Sequence, residues 1–368
     1  MPTTPRKIVF LLALLTFILL PVYCIADTAS SSSLAAAVSL STGSSGASGA
    51  PAAAGSAAAS GSGTILPDLF TGSMTYSIPI VAPPGRNGMD PGIAFVYRSS
   101  RGNGWIGTGW DIEIGAIVRS VKNGVDYTGE DFVLEMSGAG TDLVKKDGTY
   151  HAKIESAFLR IKKVTGTNGD YWEVTDKAGM RYYFGQTAAS RQYNPAKETE
   201  VFKWCLDRVE DTNGNFMTFS YIKDQGQIYL KQIDYSDHVN GQVEPLNHII
   251  FHLEPRQDVP AMYTTDFEVK TAFRLKTIEI TANGFPVRAY KLEYDADAIE
   301  AGAQYSASTG RSVLTKIQQY GKDYTIIDGT ITGGSSLPPI SLQDSRSGKF
   351  VALDWSTSPY FAIDTSAL

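Results

Sequence analysis

Seven Asn-Gly dipeptides, at Asn87, Asn103, Asn123, Asn168, Asn213, Asn240 and Asn283, punctuate this chain, and Asp147-Gly148 and Asp328-Gly329 add two related pairs. Such pairs accept the positive φ angles of tight hairpin turns, so this density predicts many antiparallel hairpins. The runs between them alternate apolar and polar residues. Met74, Tyr76, Ile78 and Ile80 stand two apart, as do Ile93, Phe95 and Tyr97, then Met217, Phe219 and Tyr221. Ile249, Phe251 and Leu253 repeat the pattern, and so do Tyr290, Leu292 and Tyr294. A period of two places one side of a strand on a core and the other toward water. After residue 65 no stretch keeps a helical period over three turns; 295–303 comes nearest and is short. The sequence predicts an all-β fold of antiparallel, hairpin-rich sheets.

The N-terminus has another character. Arg6 and Lys7 precede an apolar run from Ile8 to Val22, and Cys24-Ile25-Ala26 supplies small residues where a signal peptidase reads. Charge, apolar core and cleavage site in that order predict a secretory signal over 1–26 and an exported protein. The run is also shorter than the roughly 20 residues needed to span a bilayer, so no stable membrane span is expected after cleavage. Over 27–64, Ala, Ser and Gly supply 30 of 38 residues and Asp27 is the only charge. With few large side chains to bury, this segment is predicted to be a disordered linker. A β-domain is expected over 65–340.

Composition narrows the function classes. A net charge of -6 without a basic block argues against a nucleic-acid partner. Cys24 and Cys205 are the only thiols, which excludes a disulfide framework and a Cys-based zinc site. Gly102-Asn103-Gly104-Trp105-Ile106-Gly107 matches G-x-G-x-x-G, but the continuation through Trp110 to Ile114 alternates as a strand. No helix N-terminus follows to face a pyrophosphate, so no cofactor is expected. The glycines, including Gly109, are instead expected to bring backbone against Trp105 and Trp110. Asp211-Thr212-Asn213-Gly214-Asn215 imitates the start of a calcium loop, yet Phe216 and Ile222 stand where that loop needs Gly and Glu. A hairpin turn is the expectation there. His248, His252 and Glu254 share a strand face without a third strong metal ligand. Cys205 lies in an apolar strand-like context. Glu198-Thr199-Glu200 has the E-x-E form used by ADP-ribosyltransferases, but Ser356-Thr357-Ser358 comes after it rather than before. No catalytic, cofactor or metal residue is assigned.

Read in order, the segments resemble a known family. Gly72 to Ile80, Pro83-Pro84-Gly85, Pro91 and Tyr97-Arg98-Ser99-Ser100 are similar to the opening of the Salmonella virulence-plasmid B protein (SpvB) family. That family includes the B subunits of insecticidal toxin complexes (TcdB). The glycine-tryptophan segment from Gly102 to Trp110, then Ile117-Val118-Arg119, resembles its next hallmark. Trp204-Cys205-Leu206-Asp207-Arg208-Val209-Glu210-Asp211 through Gly214 and Asn215 is similar to a further block. Pro255-Arg256-Gln257-Asp258 and Arg274 to Ile278 continue the order, so the resemblance runs from about 66 to about 340.

The resemblance implies a secreted structural module whose strands form part of a curved, hollow shell or scaffold. Toxic chemistry would reside in a separate C-terminal effector or a partner chain. It implies other toxin-complex or Rhs/YD-repeat proteins as partners and transfers no catalytic residues. The chain ends at Leu368, without room for the repeats and effector, so 341–368 is expected to be a truncated C-terminal segment. The expectation is therefore a non-enzymatic shell or delivery component of a virulence system. The alternative is an adhesion module that binds a host-cell surface, and an ADP-ribosyltransferase component ranks below both.

Overall fold

The computed structural model describes residues 64–67 by their backbone and 73–241, 245–295 and 310–342 in full. The expected signal over 1–26, the expected linker through residue 63, nearly all of 295–303 and 343–368 lie outside the described residues.

The first sheet is small and antiparallel. Its order is Thr64–Pro67, β1 (Met74–Pro79), β2 (Ala94–Arg98) and Trp110–Asp111. The alternation in β1 and beyond puts Tyr76, Ile78 and Ile80 inside.

A second sheet of sixteen strands holds most of the chain. It begins as an up-and-down meander of β3 (Ala116–Arg119), β4 (Phe132–Met136), β5 (Ala139–Lys146), β6 (Thr149–Ala152), β7 (Arg160–Gly166), β8 (Gly169–Thr175) and β9 (Arg181–Phe184). After β10 (Arg191–Asn194) comes β11 (Lys197–Glu210), long enough to pair differently along its length. One edge of β11 takes β3, with Trp204 opposite Ile117. The other edge takes β9, with Val209 opposite Tyr182. Those two pairings close an eight-stranded barrel. A barrel of this size is just wide enough for side chains to fill. Phe132, Tyr150, Trp172 and Trp204 fill it edge to face, with centroids 4.8 to 6.1 Å apart.

Beyond the barrel the sheet opens into β12 (Asn215–Asp224), β13 (Gln227–His238), β14 (Asn247–Pro255), β15 (Phe273–Ala282), β16 (Phe285–Tyr294) and β17 (Leu314–Tyr320). All neighbours are antiparallel. The first sheet packs on this open part: Phe95 lies 6.2 Å from Tyr290, and the Val81 N–H donates to the Tyr290 hydroxyl at 2.9 Å. One apolar core thus runs through barrel and open sheet.

The turn chemistry agrees in part with the sequence. Asp147-Gly148, Asn283-Gly284 and Asp328-Gly329 are two-residue hairpin turns with both residues at positive φ. Ser137-Gly138 and Gln225-Gly226 do the same without Asn or Asp. Asn103-Gly104 departs from the expectation. It is a short strand paired with Gly107–Thr108, and the Asn103 side chain bonds to Arg256 and Asp258.

Candidate functional site

The glycine-tryptophan segment folds as a short hairpin at the junction of the two sheets. Trp110 is 5% exposed and packs against Tyr76 and Tyr97, at 6.2 and 5.3 Å. Trp105 is half-buried; its indole N–H donates to Asp111 Oδ1 at 2.8 Å and its ring meets Phe251 at 6.2 Å. The glycines divide into two kinds. Gly107 (φ +90) and Gly109 (φ +82) sit where a Cβ would come within 2.7 Å of the Ser312 carbonyl oxygen and 2.4 Å of the Tyr97 ring. Gly104 meets nothing closer than 3.7 Å, and Gly102 nothing within 4 Å. The backbone therefore closes on a tyrosine ring and a carbonyl, not on an indole face. The expected approach to Trp105 and Trp110 is thus replaced by contacts with Tyr97 and Ser312, which come from elsewhere in the fold.

A buried polar clamp holds this hairpin. The Arg256 and Asp258 side chains are 0% and 3% exposed. Arg256 Nε and Nη2 donate to the two Asp258 oxygens at 2.8 and 2.6 Å. Its remaining donors reach the Gly104 carbonyl at 2.6 Å and Asn103 Oδ1 at 2.7 Å. Asp258 also accepts from Asn103 Nδ2 at 3.0 Å, Ser312 Oγ at 2.8 Å and the Ser312 N–H. Burial pushes the Asp258 pKa up, but Arg256, Asn103 and Ser312 outweigh it and hold the carboxyl at about 2. Arg274 extends the network, donating to Glu254 at 2.8 Å and to Ser312 Oγ at 3.0 Å, with its guanidinium 4.2 Å from the Tyr294 ring.

The other motif residues also serve structure. Arg119 is 7% exposed and donates to the carbonyls of Val201, Asp126 and Gly129 at 2.8 to 2.9 Å. Its guanidinium lies 5.1 Å from Phe132 and 5.7 Å from Trp204, whose indole N–H donates to the Asp170 carbonyl at 3.0 Å. Asp211 closes the turn between β11 and β12. Oδ1 accepts from the N–H groups of Asn213 and Asn215 at 2.8 and 2.9 Å, and Oδ2 from Asn215 Nδ2 at 2.7 Å and Asn87 Nδ2 at 3.2 Å. Burial opposes ionisation there, yet these bonds hold the carboxyl below its usual range. Gly214 (φ +84) completes the turn. A carboxylate engaged this way is a turn anchor.

His248 Nδ1 faces Asp234 at 2.5 Å and His252 Nε2 faces Glu279 at 2.8 Å, while Glu254 turns to Arg274. The three residues thus go to three different partners. Burial raises the Cys205 thiol to about 11, leaving it un-ionised near neutrality. Glu200 is engaged by Lys197 and Asn194 at 2.6 and 2.9 Å. A cleft of about 270 Å³ opens between the first sheet and the barrel, lined by Ile93, Val96, Ile114, Leu206, Phe219 and Glu113. Glu113 is itself bound by Arg98 and Arg101 at 2.8 and 2.7 Å. Sequence reasoning missed this triplet. It also missed Asp207, whose carboxyl is raised by burial and accepts from Ser190 Oγ at 2.6 Å. No short-range pattern ties those residues together.

Comparison with known proteins agrees with this architecture. The crystal structure of TcdB2-TccC3 shares the fold with a TM-score of 0.64 at 20% identity, over 81% of this chain and 17% of that one. The N-terminal domain of effector protein SpvB from Salmonella typhimurium strain LT2 does so at 0.55 and 19%, over 66% and 99%. The Photorhabdus luminescens Tc holotoxin pore gives 0.59 and 20%, over 74% and 16%. The chain thus spans about a sixth of the length of TcdB2-TccC3. No curated protein sequence matches it. Residues 69–238 match the family described as Salmonella virulence plasmid 65kDa B protein. That match takes in both the glycine-tryptophan hairpin and the Asp211 turn, and with the shared fold it supports an SpvB-family assignment for this region of the chain.

Proposed function

We propose that this chain is an exported, non-catalytic structural module of a toxin-type system, a shell or delivery scaffold that joins other toxin-complex or YD-repeat proteins. The observation that carries the reading is where the charged motif residues point. Arg119, Asp211, Arg256, Asp258 and Arg274 are directed into the fold and bonded to backbone, to one another or to neighbouring side chains. Such groups hold a precise shape and are shielded from a substrate. The fold shared with TcdB2-TccC3 and with the SpvB N-terminal domain supports the same reading. Within this proposal 65–340 is the working module and 27–64 its tether. Among the described residues no helix is long and apolar enough to cross a membrane.

Two measurements test this function. Exported protein should begin near Asp27 on N-terminal sequencing; material outside the cytoplasm that still carries Met1 would overturn the cleaved signal. Purified protein should transfer no label from NAD to host-cell proteins, and Glu200→Gln should behave identically. Labelling that disappears in the variant would make the chain an enzyme.

A further inference from the structure

Two of the most exposed large apolar side chains among the described residues share one loop. Ile154 is 77% and Phe158 71% exposed in the connection between β6 and β7, at one end of the barrel. Phe158 is also held at φ +53. That left-handed region is unfavourable for a bulky residue, and strain of this kind persists where a site uses it. The Phe158 N–H is fixed by the Glu155 carboxylate at 2.8 Å. Glycine would relieve the backbone, and phenylalanine stands there with its ring in solvent.

Basic residues surround this tip. Strand alternation directs Arg160 and Lys162 outward from β7, while Lys153 opens the loop and Lys177 lies on the turn after β8 at the same barrel end. The acids nearby keep their charge but are each tied to a partner on the protein, whereas the lysine ammonium and arginine groups extend outward. Asp142 lies between Lys122 and Lys153, at 2.5 and 3.8 Å, and Glu173 is 3.9 Å from Arg160. Glu155 and Asp176 accept from backbone N–H groups, Asp176 from Ala178 and Met180 at 2.8 and 3.0 Å. Lys162 and Lys177 form no ion pair among the described residues.

We propose that this barrel end is a peripheral docking surface for an anionic lipid bilayer, with Ile154 and Phe158 entering the acyl boundary and Lys153, Arg160, Lys162 and Lys177 meeting headgroup phosphates. The dimensions favour lipid over protein. Two protruding side chains offer on the order of 250 Å², against the roughly 800 Å² per partner of a stable protein interface. A shallow apolar tip ringed by cations is sufficient for reversible membrane contact, where insertion and charge add together. Nothing in this inference depends on export or on a toxin partner.

Flotation of the purified chain tests it, with vesicles of phosphatidylcholine alone and of phosphatidylcholine with phosphatidylglycerol in equal parts. Binding is expected to the mixed vesicles only, and to weaken as salt rises. Ile154→Ser with Phe158→Ser should weaken it about tenfold or more. Lys153→Gln, Arg160→Gln and Lys162→Gln together should do the same. Both side chains of the tip are exposed, so the thermal midpoint of the apolar variant should not fall. Phe158→Gly should raise the midpoint while reducing binding. Absence of binding at low salt would overturn the proposal. So would an apolar variant that binds like the parent chain, since that marks a generic polyanion patch.

Discussion

Asp258→Asn removes one charge from the clamp while keeping the shape of the side chain. It leaves the Arg256 guanidinium, 0% exposed, without its anion. Removing one partner of a buried ion pair costs about 3 to 5 kcal/mol, because the charge left behind is neither solvated nor paired. The wild-type carboxyl has its pKa lowered to about 2 in the folded chain, against about 3.9 when unfolded. A depressed carboxyl contributes stability that is present above the unfolded value and lost as pH falls through the folded one. The linkage amounts to about 2 to 3 kcal/mol, lost between about pH 4 and pH 2. Urea unfolding followed by circular dichroism, at neutral pH and down this window, measures both quantities. With a slope of about 3 kcal/mol/M the neutral midpoint should drop by about 1 M or more. The variant's decline between pH 4 and pH 2 should be shallower than the wild type's by about 2 to 3 kcal/mol. A neutral midpoint within about 0.2 M of wild type, or parallel acid profiles, would refute the clamp as a major contributor.

Two further substitutions probe the hairpin. Trp110→Ala should cost about 3 to 5 kcal/mol by chemical denaturation, and Trp105→Ala less, since only Trp110 is fully buried; an unmoved Trp110→Ala midpoint with binding to cells lost would favour adhesion. Gly109→Ala should destabilise by about 2 to 4 kcal/mol, combining left-handed strain with a clash against Tyr97. Gly124→Ala, at φ +84 with nothing within 4 Å, carries the strain alone, so equal losses in the two variants would disprove the clash.

Much of the fold was legible in local patterns. Alternation over Met217, Phe219 and Tyr221, and over Tyr290, Leu292 and Tyr294, identified the strands and their inward faces, because successive side chains in a strand must point to opposite sides. Asn283-Gly284 and Asp147-Gly148 marked hairpins because both turn residues tolerate positive φ. A period of two, however, says which face is buried and nothing about which edge pairs. Barrel closure required β11 to offer one edge to β3 and the other to β9, at registers no segment carries in itself. The clamp has the same origin. Asn103 and Arg256 are 153 positions apart, and only the packing of the first sheet on the open one makes a hydrogen-bond partner of either. Sequence determined the strands, their faces and several turns through short-range sterics and burial. Tertiary structure alone decided the pairing of distant edges and the neighbours of each buried charge.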